Sequence, residues 1–393
     1  MKTMKATSLF AVIFIFLQSS VPLQAQDTRP HLAIFKDGIA LPDGITIDAQ
    51  GRVLAHSEAF SRTEALQFDT HGTFLDQVIF GDGVFEKTRF IGSRFSYDPF
   101  LNLVIMLTPA GDLFQIHPDG LQIAQPVISI PTEAVSANQV YDINTGQIVS
   151  LEFTLDTVLR YGDLALFRPG TLPEQLTLMV TGTAERLPQP PVPFVMDMTL
   201  DPLSGIIAAQ LVLTSSAASF AVESRTRGVA ANAHGIGLTT LPISDPVNPS
   251  GTKEVAVAFA VYTAPETTDL LPQPMILFNG LDITSDGMAS DQAGHFYAAS
   301  GDRGSSACEP NRSGALMVMP VDANGLPLGT APSANAVPAV PAPLGILDPL
   351  ACFPIATTMD DIVSSRDVAV SPVDQSIVLT VNNQDLVLVL SQP

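Results

Sequence analysis

The chain has 393 residues, of which 39 are acidic and 18 basic, giving a formal net charge of −21. That balance excludes the basic footprint that nucleic acid or an anionic membrane surface requires. It contains no tryptophan, so it offers no indole platform on which a sugar would stack.

Residues 1–25 read as an export signal. Lys2 and Lys5 start it with positive charge, residues 9–17 are an unbroken apolar run, and small and polar residues follow up to Ala25. The apolar run is too short to span a bilayer. Cleavage after Ala25 is expected, leaving residues 26–393 as one domain, secreted or periplasmic, monomeric, and without a membrane segment.

The elements that follow are short strands. "ITIDAQGRVLAHS" (45–57) is strand, tight turn, strand, and "FSYDPFLNLVIMLTPAGDLFQIHPDG" (95–120) gives three strands with two turns. "VYDINTGQIVSLEF" (140–153) repeats the first pair, "DLALFRPG" (163–170) adds a strand, and "MTLDPLSGIIAAQLVL" (198–213) repeats the pair again. "MASDQAGHFYAAS" (288–300) and "VAVSPVDQSIVLTV" (368–381) complete the series. Runs rich in β-branched residues and bounded by Gly, Pro, Asp and Asn are strand signals, and helical periodicity is scarce. Six copies of one hairpin that cannot bury both its faces alone must stack on each other. The pattern predicts an all-β, six-bladed β-propeller, or seven blades if residues 206–280 hold one more. Residues 31–36 are expected to add an outer strand to the C-terminal blade, which ends in "DLVLVLSQ" (385–392), and so to close the ring.

Two kinds of aspartate emerge. Asp48, Asp98, Asp142, Asp201 and Asp291 sit at hairpin turns, where the carboxylate bonds its own backbone. Asp43 and Asp286 instead precede the innermost strands of their blades, each followed by glycine. That places them at the mouth of a central channel. Comparable positions are Ser93, Asn138, Asp197 and the Arg366–Asp367 pair. Asp43, Asn138, Asp197 and Asp286 together offer the hard oxygen ligands that Ca²⁺ or another divalent cation takes; alternatively they cap strand entries around a water-filled channel. The six histidines are scattered and read as structural or solvated. Cys308 and Cys352 are expected to pair as a disulfide, closing a loop of about 45 residues worth roughly 4 kcal/mol in the chain-entropy model. A sequon stands at Asn311, Arg312 and Ser313.

"TSDGMASDQAGHFYAAS" (284–300) resembles a segment of the regucalcin/gluconolactonase family, and "LPDGITIDAQG" (41–51) is similar to the same segment. "NGLDI" (279–283) resembles an Asn-Gly-Leu-Asp segment of that family, although here it runs straight into the Asp-Gly motif. The family's Glu-Gly-Pro signature is absent. NHL-repeat, strictosidine-synthase-like and yellow/royal-jelly propellers share this motif style. The resemblance implies a divalent cation at Asp286 and Asp43, with Asp286 as general base for lactone hydrolysis. Three readings stay open. One is a calcium-dependent lactone or ester hydrolase, whose ion polarises the carbonyl of a small-molecule substrate. Another is a non-catalytic propeller that binds a ligand or a protein. The last is a metal-independent, strictosidine-synthase-like site built on a channel carboxylate. Converging oxygen ligands in the channel would favour the first, and a plugged or apolar channel the second.

Overall fold

The computed structural model describes residues 31–59, 62–83, 88–131, 137–153, 156–168, 176–186, 188–201, 205–217, 228–244, 251–261, 275–276, 285–300, 315–327, 352–354 and 365–391. The expected export signal, the expected Cys308–Cys352 pairing, the sequon and residues 279–283 lie outside the described residues. The described chain is a β-propeller, and no described helix is long and apolar enough to cross a membrane.

The strands fall into six sheets. From the inside outward, sheet 1 holds Ile45–Ile47, Val53–Ala59, Arg62–Phe68 and Phe74–Asp82. Sheet 2 holds Arg94–Asp98, Leu103–Leu107, Asp112–His117 and Gln122–Ser129. Sheet 3 starts with Val158–Phe167, Leu176–Glu185, Val192–Asp201 and Gly205–Thr214, then adds Ala137–Asp142 and Gln147–Leu151 outside them. Sheet 4 is Val229–Ala231, Ile236–Ser244, Thr252–Ala260 and Met275–Ile276. Sheet 5 is Ser285–Ser290, Phe296–Ser300, Ala315–Met319 and Cys352–Pro354. Sheet 6 is Ser365–Val370, Ile377–Val381, Leu386–Ser391 and, outermost, His31–Asp37, which pairs antiparallel with Leu386–Ser391.

The inner strands touch in cyclic order, each on the next, and sheet 6 returns to sheet 1. Apolar side chains fill each gap between neighbouring sheets. Ile105, Leu113 and Val140 pack with Leu178 and Phe194 between sheets 2 and 3. Ile45, Ile47, Ala369, Val378 and Val387 pack between sheets 6 and 1. A sheet covered on both faces needs apolar residues at every position, not at every second one. Leu103–Leu107 and Ile377–Val381 are accordingly buried throughout.

Two hairpins sit elsewhere than their sequence pattern suggests. The pair at 140–153 does not begin a blade. Its first strand adds in parallel to the outside of sheet 3, with Tyr141 beside Leu213 and Asp142 beside Thr214. The pair at 198–213 supplies the third and fourth strands of the same sheet. The inner strand there is Val158–Phe167, and residues 229–276 build a separate sheet 4. A strand–turn–strand signal marks a hairpin but does not say how far from the channel it lies.

Of the expected turn aspartates, Asp48, Asp98, Asp142 and Asp291 accept amides of their own turns, and the turn after Asp201 lies outside the described residues. Asp48, Asp69, Asn232, Asp291 and Asp322 each begin a four-residue turn whose glycine N–H returns to their carbonyl oxygen at 3.0–3.1 Å. Asp48 Oδ1 also accepts the Gln50 and Arg52 amides at 2.9 Å. Asn232 Oδ1 accepts those of His234 and Ile236 in the same way.

Candidate functional site

The inner strands all start at one end of the channel, and charged side chains gather there. Asp43 stands just before the first inner strand, Arg94 and Asp286 at the second and fifth, Asp163 within the third, and Arg366 and Asp367 in the sixth. Arg94 is 1% exposed, Asp163 2%, and Asp286 and Asp367 3% each. Charges so far from water persist only where they are paired. Arg94 Nη1 lies 2.6 Å from Asp43 Oδ1, and Arg366 Nη1 donates to Asp286 Oδ2 at 2.8 Å. Burial opposes the Arg94 charge, but Asp43, Asp367 and Asp163 outweigh it and hold the guanidinium protonated more firmly than usual.

Asp163 and Asp367 occupy matching positions in sheets 3 and 6. Asp163 accepts the amides of Leu164 and Val229 at 2.9 Å, and its own amide donates to Thr181 Oγ1 at 2.9 Å. Asp367 accepts those of Val368 at 2.8 Å and Ile45 at 2.9 Å, and its amide donates to Thr380 Oγ1 at 3.0 Å. Each carboxylate thus ties its own inner strand to the inner strand of the next sheet. Burial pushes Asp163 up to about 7, against the pull of Arg94 and these amides. Burial, and then the charge of Asp163, raise Asp367 well above the usual carboxylate range.

The glycine of each Asp-Gly motif has a steric cause. A Cβ on Gly44 would stand 2.6 Å from the Ser93 carbonyl oxygen. One on Gly287 would stand 2.2 Å from Asp367 Oδ1 and 2.6 Å from its Cα. The inner strands approach too closely here for any side chain.

His56, on the second strand of sheet 1, is fully buried beside this cluster. Its ring meets Phe95 edge-on with centroids 6.0 Å apart, and Nδ1 is 3.7 Å from Glu58 Oε1. Neither ring nitrogen has a hydrogen-bond partner among the described residues. Burial, against the attraction of Asp43, lowers its pKa to about 4, so the ring is neutral at neutral pH.

Of the four residues expected to ring the channel mouth, the structure brings Asp43 and Asp286 to this end. It does not bring Asn138 or Asp197. Asn138 lies in the fifth strand of sheet 3, which belongs to the added outer hairpin, and Asp197 in the third, two strands away from the channel. Arg94 and Asp163 were missing from the sequence reading. Asp163 opens "DLALF" with the same Asp-before-strand signal as the others, but without a following glycine. Among the described residues no three His, Cys, Asp or Glu side chains gather as a bound metal ion requires.

Beyond Asp163 and Asp367 the channel becomes a cavity of about 260 Å³, lined by all six inner strands and reaching Ala49, Pro99 and Pro372 at the hairpin turns. Its wall is mixed, with Ile45, Ile47, Leu164, Met288 and Val368 beside Thr46, Ser96 and Ser290.

No family model matches the chain, and no curated protein matches it. Structures similar to it include a Trichoderma reesei carbohydrate-active enzyme of family AA12, at TM-score 0.49 and 12% identity over 94% of this chain and 99% of that one. A putative gluconolactonase follows at TM-score 0.47 and 11% identity, covering 92% of each chain. The PQQ domain of Coprinopsis cinerea pyranose dehydrogenase scores 0.47 at 10% identity, over 92% of this chain and 95% of that one. Likeness at this level carries no argument about activity; the propeller rests on the strand pairings above.

Proposed function

We propose that the six sheets are the blades of one exported ring, closed by His31–Asp37, and that the ring is a non-catalytic propeller that binds a small molecule. The observation that carries this is Arg94. Its guanidinium is buried among Asp43, Asp163 and Asp367, where it supplies the positive charge that Ca²⁺ would supply in a metal-dependent hydrolase. Asp286 is engaged in the same way by Arg366. On this reading the carboxylates at the strand-entry end hold the sheets together and seal the channel, which leaves the hairpin-turn end for a ligand.

The test is thermal melting of residues 26–393 with EDTA, with Ca²⁺ and with Mg²⁺, for the wild type and Asp286→Ala, beside a panel of lactones and esters. The expected result is one midpoint under all three conditions for each protein, and no hydrolysis. An ion that binds the folded state raises the midpoint by mass action. A rise of several degrees that disappears in Asp286→Ala would overturn the reading in favour of a metal-dependent hydrolase.

A further inference from the structure

A second cavity, of about 230 Å³, lies beside the channel. It shares Tyr97, Pro99, Leu166 and Ala231 with the channel cavity, so the two meet at a common wall near the hairpin turns of sheets 2 and 4. We propose that they form one bent pocket for an uncharged, chain-like alcohol, with its hydroxyl at Asp163 and Asp367 and its hydrocarbon tail turned into the second cavity. This deepens the binding reading above and rests on it.

The lining selects this chemistry. Among the described residues, Asp163 and Asp367 are the charged groups that line the channel cavity, and Arg94 stands behind them, engaged by three carboxylates. An acid anion would meet two carboxyl groups and no free cation. A hydroxyl donates to a carboxylate and accepts from a carboxylic acid, so it suits the pair whichever number of protons the pair holds. The rest of the channel wall sets hydrocarbon, from Ile45 and Ile47 to Met288 and Val368, beside Thr46, Ser96 and Ser290, which suits the polar end of such a molecule and leaves the second cavity as the more apolar room.

The second cavity suits a tail. Its polar side chains already have protein partners: Arg168 is paired with Asp98, and Asn232 Nδ2 donates to the carbonyls of Gly294 and Gly325. What remains for a ligand is Leu166, Phe167, Leu176 and Ala231. A dry apolar cavity of about 150 Å³ admits benzene, so two joined cavities, each larger than that, have room for a chain of intermediate length.

The experiment is calorimetric titration of residues 26–393 with 1-alkanols from hexanol to dodecanol and with the carboxylates of matching length. Affinity is expected to rise about fourfold per methylene until the pocket is full, with each carboxylate at least tenfold weaker than its alcohol. Phe167→Trp, which narrows the second cavity and does not line the channel, should keep hexanol binding and abolish the gain with length. Ser96→Leu, on an inner strand, should weaken the whole series. The alcohol and carboxylate comparison needs no variant, so it decides even if a substitution fails to fold. Absence of saturable alkanol binding, equal affinity for carboxylates, or an unchanged length dependence in a folded Phe167→Trp would each overturn the proposal. The titrations report chain length and the charge of the ligand's head group, and the metal series reports a cation at Asp286, so failure of one is distinguishable from failure of the other.

Discussion

The Asp367 carboxylate accepts the Ile45 amide hydrogen at 2.9 Å, although 322 residues separate them in the chain. Asp163 holds the Val229 amide at the same distance. At two junctions between neighbouring inner strands a buried carboxylate therefore accepts the next strand's amide, and Arg94 attracts both carboxylates. Strand-entry charge in this propeller is first a fastening between sheets.

Arg94→Met should be strongly destabilising. It leaves Asp43, Asp163 and Asp367 facing each other without a counter-charge, and breaking a buried ion pair from one side costs about 3–5 kcal/mol. Urea denaturation monitored by far-ultraviolet circular dichroism measures it. Adding Asp43→Asn to Arg94→Met should recover part of the loss. A deficit below about 1 kcal/mol would show that the guanidinium is not buried among these carboxylates.

Gly287→Ala and Gly44→Ala should each lower stability through steric conflict at the close approach of neighbouring inner strands. Overpacking of this kind typically costs about 1–3 kcal/mol, and the Gly287 methyl would meet the Asp367 backbone as well as its side chain. Melting midpoints within a degree of wild type would refute the approach.

His56 and Asp163 should tilt the stability profile in opposite directions over one pH window. Folded His56 stays neutral down to about pH 4, while the unfolded chain takes up the proton near 6.5. Between these values the unfolded state binds more protons, so stability drops as the pH is lowered; the contribution is whole above 6.5 and roughly 3 kcal/mol of it is gone by pH 4. For Asp163 the folded pKa is raised to about 7 from an ordinary 3.8. Its contribution is whole below the unfolded value and is lost as pH rises towards 7. Relative to wild type, His56→Phe should lose stability with rising pH across this window and Asp163→Asn should gain it. Denaturant midpoints measured between pH 4 and 8 check both slopes, and parallel profiles in all three proteins would dismiss the account.

Asn232→Asp should be worse than a loss of turn geometry. The new carboxylate keeps the acceptor that caps its own turn. It loses the amide that donates to Gly294 and Gly325, whose turns belong to the neighbouring sheet. Unsatisfied buried acceptors cost about 1–3 kcal/mol, and the change buries a charge in addition. Asp48→Asn keeps its capping oxygen and should lose less. Equal melting midpoints for the two variants would contradict this.

The strand content of the fold was legible because the repeated Asp-x-x-Gly turn is a local signal, written in contiguous residues and read by their own backbone. The location of each hairpin was not. "VYDINTGQIVSLEF" and "ITIDAQGRVLAHS" each carry a turn that an aspartate opens and a glycine closes, yet one lies at the outer edge of sheet 3 and the other at the channel. The difference is made by partners far away in the chain, such as Leu213 for Tyr141. The same limit applies to the site. Asp43 and Asp286 were visible through the glycine beside them. Arg94 was not, because nothing local marks a guanidinium that finds its three carboxylates in three other sheets.

The pairing of His31 with Ser391 sets an order of assembly. Sheets 1 to 5 each draw on one contiguous stretch, so their contacts form without waiting for distant chain. Sheet 6 joins the strand that leads the described chain to the strand that finishes it. It cannot be whole until everything between them has been arranged, and an arriving C-terminal segment finds its last partner only if His31–Asp37 has stayed extended and unpaired until then. A circular permutant that joins these two strands and opens the chain in another sheet should therefore move the slow step of folding to the new opening.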